Sequence, residues 1–510
     1  MREHRDVTRR HDALAGLVAG VAGIGLSHAL TMLLSIRATP LLAVAEVIVE
    51  ITPGSVAEEL IQLVGQYDKP LLVIGVTIGL LALSAIAGSF TRRSLLLGYA
   101  VFLVMGAIAF GAVSTRPGAS MYDVVPVVAG TITWLVVLSF LVDYLCRLGN
   151  NAKTWETDQA RRGFLIRAGV VAGAALVIGV VGQFIGRTRR GVETARRLLR
   201  LSVTGGRVPT GAELDVDGIS PWRSSNKEFY RIDTALVVPT IDPNEWQLRI
   251  HGMVENEIVL NYRDLVDREL TEAWVTLCCV SNDVGGDLIG NAWWSGVRIA
   301  DLLTDVGVSR DADAVRQTSK DGWNCGTPLT VLTDDRNAML AIAMNGEPLP
   351  LEHGFPVRMV VPGLYGFVSA TKWLVDLEVT RFDKFTAYWT DRGWSAQGPV
   401  RTQSRIDVPR DGSDVAAGTR KIGGSAWAQH TGIAKVEYRL DGNSWAEAEL
   451  GRVPGNDTWV QWSASVAVAD GSHTLAVRAT DRSGYTQTSV RRDVVPDGAT
   501  GWHTVDFNAG

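Results

Sequence analysis

The chain has 510 residues with 49 Lys and Arg against 54 Asp and Glu, and its net charge of −5 carries no nucleic-acid signature. That length excludes one ordinary domain, and four cysteines scattered at 146, 278, 279 and 325 exclude a disulfide framework. Mean hydropathy is positive although 20% of residues are charged, which points to a membrane portion joined to an ordinary soluble one.

Apolar runs at 13–36, 71–88, 94–114, 124–142 and 168–186 each approach the ~18–20 residues that cross ~30 Å of hydrocarbon as helix. They predict an all-α bundle of five spans over 1–186. The stretch 41–65 is also apolar, but Glu46, Glu50, Glu58, Glu59 and the Pro53-Gly54 break suit an interfacial or re-entrant helix pair better than a span. Positive charge alternates between loops. Arg2, Arg5, Arg9, Arg10, Arg92, Arg93, Arg147, Lys153, Arg161 and Arg162 lie on one side, against Arg37, Lys69 and Arg116 on the other. This puts the N-terminus in the cytoplasm and everything after 186 outside, although Arg187, Arg189, Arg190, Arg196, Arg197 and Arg200 run against the rule there. His28 is the one histidine within a span; paired haem ligands are lacking, and it reads as a polar residue in a helix contact.

Residues 187–225 read as a basic segment and linker with one helix near Thr194–Leu201. From 226 to 400 short strands, short helices and frequent Gly suggest a mixed α+β domain, with a strand at Trp246–Val254 and a short helix at Leu260–Leu265. No G-x-G-x-x-G follows a strand, so a dinucleotide fold is not indicated. The run Trp274-Val-Thr-Leu-Cys-Cys-Val-Ser-Asn-Asp-Val-Gly-Gly286 ends a strand on Cys278 and Cys279 beside flexible backbone. Either two small apolar residues finish a buried strand, or a thiol is presented to a ligand. Further on, Asn345-Gly-Glu-Pro-Leu-Pro-Leu-Glu-His-Gly-Phe-Pro-Val-Arg358 and Pro362-Gly-Leu-Tyr-Gly366, ending in Ala370-Thr-Lys-Trp373, bring cationic ends and open turns suited to an anion. Pro356–Val361 is equally a core strand, and the two readings are compatible.

From 401 to 510 apolar and polar residues alternate between Gly, Asp and Asn turns, clearest at Ile433–Leu440, Trp459–Val466 and His473–Thr480, as in a small β-sandwich. His430, His473 and His503 read as surface residues.

Thr276-Leu-Cys-Cys-Val-Ser-Asn282 with Ala292-Trp-Trp-Ser-Gly-Val297 resembles the motif of sulfite-oxidase-type molybdenum enzymes, in which one thiolate holds the metal of a molybdopterin cofactor. The resemblance covers nearly all of 226–400 and implies an immunoglobulin-like dimerisation domain after it. It implies Cys279 as the metal ligand, Asp321 as acceptor of pterin N–H groups, and His353, Arg358 and Lys372 as terminal-phosphate ligands beside the Gly366 turn. Cys325, in the Asp321 loop, reads as a buried thiol. Arg231 takes the position of a pocket arginine that meets an anionic S- or N-containing substrate; on its own it reads equally as a residue paired with Asp233 or Asp242. The family continues with Asn and His after that Arg, whereas Ile232 and Asp233 stand here. Trp394 replaces the family's Tyr, removing a proton-handling group and arguing against sulfite itself. Arg392 supplies a second pocket cation or a structural ion pair. Before the last apolar run, Ala160-Arg-Arg-Gly-Phe-Leu-Ile166 obeys the positive-inside rule and, upstream of such a domain, also looks like an internal twin-arginine export signal. The expectation is a membrane-anchored molybdopterin oxidoreductase on the outer face of a bacterial plasma membrane. It would be served by a separate cytochrome or quinone-linked electron partner, and a homodimer is possible.

Overall fold

The computed structural model describes residues 2–53 except 35 and 37, then 68–116, 121–150, 166, 169 and 187–510. It forms two compact units, 1–191 with 235–238, and 192–234 with 239–510.

In the first unit lie α1 (Arg2–Leu33), α2 (Pro40–Ile51), α3 (Asp68–Phe90), α4 (Leu95–Ser114) and α5 (Val125–Asn150). Among the described residues four helical stretches are long and apolar enough to cross a membrane: His11–Leu33, Lys69–Phe90, Leu95–Ser114 and Met121–Asp143. All of the fifth apolar run but residue 169, and the Arg161-Arg162 pair, fall outside the described residues, as does most of the second half of the 41–65 stretch. The first half is the twelve-residue α2, whose start is fixed by the Thr39 hydroxyl accepting from the Leu42 N–H, with Pro40 at the first helical position. Small residues let the helices touch: a Cβ on Gly16 would lie 2.0 Å from the Ser84 carbonyl oxygen, and one on Gly88 would lie 2.1 Å from that of Asp12. Trp134 closes the other side of α1, donating its indole N–H to the Gly20 carbonyl at 3.1 Å.

The second unit starts in α6 (Arg187–Leu198), earlier in the chain than the periodicity predicts. Strands β1 (Gln247–Gly252), β2 (Ile258–Asn261), β3 (Thr271–Cys278), β4 (Ile289–Arg298), β5 (Ala314–Ser319), β6 (Asn324–Pro328), β7 (Met339–Met344), β8 (Glu347–Pro348), β9 (Arg358–Val360) and β10 (Leu374–Thr380) follow. They build one sheet in the order β2-β1-β10-β5-β6 and another in the order β3-β4-β7-β8, with β9 also paired to β7. The helix expected at 260–265 is a strand end followed by a helix over Tyr262–Val266, because Asn261 and Asp264 form a reciprocal capping box.

Then come β11 (Gln403–Val408), β12 (Asp414–Val415), β13 (Gly418–Trp427), β14 (Ile433–Leu440), β15 (Ala446–Glu447), β16 (Glu449–Leu450), β17 (Val460–Val468), β18 (Gly471–Asp481) and β19 (His503–Ala509). Sheets β11-β13-β17-β16 and β12-β19-β18-β14-β15 enclose a core of Val436, Trp462, Val477 and Phe507. This sandwich shares hydrogen bonds with β3: Thr276 N–H donates to the Asp457 carbonyl at 2.9 Å, and the Thr276 hydroxyl accepts from Trp459 N–H at 2.8 Å.

Candidate active site

Strand β3 pairs with β4 in register up to Cys278 opposite Ile289, and Cys279 opens the loop between them. The loop closes on itself. Cys279 N–H donates to the Leu288 carbonyl at 2.9 Å, while Asn282 Oδ1 accepts from Leu288 N–H at 2.8 Å. Cys278 and Cys279 are both buried; Cys279 is 7% exposed. Burial raises the Cys279 thiol, while hydrogen bonding to Ser281 and the charge of Lys372 draw it back. Cys278 is raised well above its ordinary value by burial, and its Sγ contacts the Cys279 carbonyl.

The anion-type residues converge near these thiols. His353 ends a short turn; its ring Nε2–H donates to the Asn226 carbonyl at 2.8 Å, and its buried Nδ1 has no partner among the described residues. Burial and the Lys372 and Arg358 charges push its pKa down to about 3, so the ring is neutral. Arg358 is only 3% exposed at the start of β9. Its guanidinium reaches carbonyls of His353 at 3.3 Å and Met359 at 3.5 Å, lies 5.0 Å over the Trp294 ring, and meets no carboxylate among the described residues. Burial draws it down to about 10. Lys372 is held by the Ile232 carbonyl at 3.0 Å and Asp233 at 3.3 Å, and burial lowers it to about 8. Gly354, at φ +109°, permits this crowding, since a Cβ there would sit 3.0 Å from the Arg358 Cβ and 3.1 Å from the Lys372 Cα.

Arg231 lies in the same cluster, its charge acting on His353 and Lys372. Its Nε donates to Asp233 at 2.9 Å, so the ion pair anticipated from sequence forms. Tyr230, beside it, is a site residue that sequence reasoning missed. Burial raises its phenol well above the ordinary value, with both cysteines adding to the rise and Arg358 opposing it. A Cβ on Gly366 would stand 3.7 Å from that phenol oxygen and 3.8 Å from the Cys278 carbonyl, so glycine keeps a gap there.

The remaining predicted residues have these local contacts. Asp321 caps its own turn, accepting from Trp323 N–H at 3.2 Å. Trp394 is buried against Phe367 at 5.8 Å between ring centroids. Arg392 donates to the Tyr388 carbonyl at 2.9 Å and lies 3.8 Å over the Tyr388 ring. Cys325 is buried against Thr371, and burial pushes it up to about 12. One expectation is corrected. His503 is not a surface residue: it accepts from Ile406 N–H at 2.9 Å and packs on Gly285, whose absent Cβ would lie 2.2 Å from the ring. The φ of +83° at Gly285 also favours glycine.

A molybdopterin carries a metal at one end and a phosphate at the other. A soft thiol, two buried cations and an orphaned imidazole nitrogen suit a metal at one end of a ligand and a phosphate at the other, so the residues fit the group.

The model of the oxidoreductase molybdopterin binding domain matches residues 235–389, and that of a bacterial Ig domain matches 403–477. An uncharacterized oxidoreductase, YuiH, of Bacillus subtilis is 31% identical over 180 residues, 35% of this chain and 87% of that protein. Mitochondrial sulfite oxidase of Mus musculus is 30% identical over 259 residues, 42% of this chain and 47% of the relative, so the chain spans about half the length of that enzyme. The crystal structure of the sulfane dehydrogenase SoxCD from Paracoccus pantotrophus aligns with a TM-score of 0.49 at 22% identity, covering 62% of this chain and 88% of that one. On the sequence matches to YuiH, to sulfite oxidase and to the molybdopterin binding domain, the chain belongs to the sulfite-oxidase-type family of molybdopterin-dependent oxidoreductases.

Proposed function

We propose that the protein is a membrane-anchored enzyme that moves an oxygen atom and two electrons to or from a small sulfur- or nitrogen-containing substrate on the outer face of a bacterial plasma membrane. The observation that carries this is the convergence of a buried thiol at the end of β3 with Arg358, a buried cation that meets no carboxylate among the described residues. An uncompensated interior charge is costly, and a bound anion removes the cost.

Cys279 would hold the molybdenum, and Arg358 and Lys372 would hold the terminal phosphate. His353 Nδ1 would share a proton with that phosphate, and the Asp321 turn would meet the pterin. The cofactor supplies two-electron oxygen-atom chemistry when bound. The protein's own part is orientation and exclusion of water. Tyr230 offers a phenol O–H near the thiols, and Trp394 replaces a proton-handling group with an apolar wall. Electrons would pass to or from a separate cytochrome or quinone-linked protein, and the sandwich would serve a homodimer. The four apolar helices support membrane anchoring. The outer-face placement takes 168–186 as a fifth crossing, reached after export directed by Arg161-Arg162.

Metal analysis of the purified full chain tests the enzyme reading. About one molybdenum per chain is expected, lost in Cys279→Ser and retained in Cys278→Ser, with the fold intact in both by circular dichroism. A wild-type protein that is active without molybdenum overturns it. Alkaline-phosphatase fusions after residue 190 test the topology; an inactive fusion places the site in the cytoplasm.

A further inference from the structure

We propose that the arginine stripe of α6, the helix in which the second unit starts, is a binding surface for anionic phospholipid headgroups. The inference rests on the membrane anchoring proposed above and on none of the chemistry.

The segment is unlike the rest of the chain. Between 187 and 200 stand six arginines, at 187, 189, 190, 196, 197 and 200, and a single carboxylate, Glu193, a net charge of +5 in a chain whose total is −5. With 168–186 as the last crossing, the chain emerges from hydrocarbon directly into these arginines. Positive charge on the outer face works against the rule that orients spans, so the arginines need another use there.

Helical spacing sorts them. Positions 189, 190, 193, 196 and 197 recur three, four and seven apart and share one side of α6, whereas Val192, Ala195 and Leu198 share the other. Arg196, at the edge of the stripe, is committed to the protein. It donates to the Pro348 carbonyl at 3.0 Å and pairs with Glu193 at 2.8 Å, and the Glu347 and Glu352 charges add to the hold. Arg197 is not so held: its side chain is 73% exposed, and its pairing with Glu193 at 2.9 Å is of the exposed kind that contributes little. Arg200, just past the helix, is exposed as well. Guanidinium forks suit the paired oxygens of a phosphodiester.

Two observations favour a lipid over an acidic protein. Val192 packs into the protein at 4% exposure, but Leu198 is left 68% exposed, an apolar foot of the kind that interfacial helices sink below the headgroups. The apolar run ending at 186 also keeps the stripe within the ~10 Å over which a charged bilayer surface acts.

The test places the full chain in nanodiscs of phosphatidylcholine alone or with about one third phosphatidylglycerol, and reads amide hydrogen exchange over 187–200. Exchange is expected to be at least about threefold slower with phosphatidylglycerol, and the difference to vanish at about 500 mM salt. It should vanish too in the combined variant Arg189→Gln, Arg190→Gln, Arg197→Gln, which retains Arg196 and its bond to Pro348. Equal exchange in the two kinds of disc, or protection that survives in the folded combined variant, overturns the inference. So does protection reproduced in phosphatidylcholine discs by glycerol 1-phosphate, the mark of a soluble-phosphate site, or by polyglutamate, the mark of a protein-docking surface. A chain that does not co-elute with either disc overturns the anchoring as well, whereas a chain that co-elutes keeps the anchoring whatever the exchange shows. If the combined variant fails to fold, the lipid and salt comparisons on the wild type decide alone.

Discussion

Arg405, in the first strand of the sandwich, donates a hydrogen bond at 2.9 Å to the carbonyl of Gly286, in the loop that Cys279 opens. The same guanidinium pairs with buried Asp407 at 2.7 Å and bonds the Ser220 hydroxyl at 3.1 Å. Removing it strands a buried carboxylate and frees the loop. Arg405→Ala is expected to cost about 3 kcal/mol in unfolding free energy. It should also speed alkylation of Cys279 in cofactor-free protein, read by mass spectrometry. Unchanged alkylation would show that the loop holds itself.

His503 gives the fold an acid limit. Burial, reinforced by the Arg405 charge, lowers its pKa to about 4 in the folded chain. At neutral pH the ring is neutral folded and unfolded, and no stability depends on it. As pH falls below the unfolded value of about 6.5, the unfolded chain takes up a proton that the folded chain refuses until about 4, so stability is lost across that window. The loss is on the order of 3 kcal/mol. Chemical denaturation at a series of pH values should show this slope in wild type and a shallower one in His503→Gln.

Arg358 gives opposite signs with and without ligand. In cofactor-free protein Arg358→Met exchanges a buried cation for an apolar chain and should stabilise by about 1–3 kcal/mol. The same variant should lose most of its molybdenum, because the phosphate would lose its deepest cation. Melting temperature of the apo form, set beside metal content, checks both halves.

Gly88 tests the bundle. A side chain there must displace the backbone of α1 at Asp12, so Gly88→Leu is expected to cost about 2 kcal/mol or more. A Cβ on Gly75 would meet nothing within 4 Å among the described residues, and Gly75→Leu should be neutral. Thermal unfolding in detergent distinguishes them.

Much of this was legible in the chain. The Trp274–Gly286 run reads as a strand ending in the cysteine pair and then a turn, because its apolar residues are continuous and its glycines cluster, and β3 follows that punctuation, whereas β4 was not read. His353, Arg358 and Lys372 lie within one short signature, so their convergence needs only a local strand and two turns. Asp233 was visible as a departure from the motif, but its placement between Arg231 and Lys372 depends on contacts 139 positions apart. Tyr230 stands in a loop without periodicity, so only its adjacency to Arg231 could have flagged it. Arg405 and His503 had no local signal, since a histidine beginning a strand of alternating burial reads as solvent-facing until the neighbouring glycine is known.

Thr276 draws hydrogen-bond partners from the loop before β17, so the strand that ends in the cysteine pair is completed by a module whose own sequence begins more than a hundred positions later. Exchanging that module for an unrelated sandwich would leave the Thr276 amide without its acceptor at the threshold of the reaction centre, with the hydroxyl held by Asn291 alone. The two halves are therefore coupled through these bonds, and chimeras joined near residue 400 should require the partner's matching 457–459 segment to recover a working enzyme.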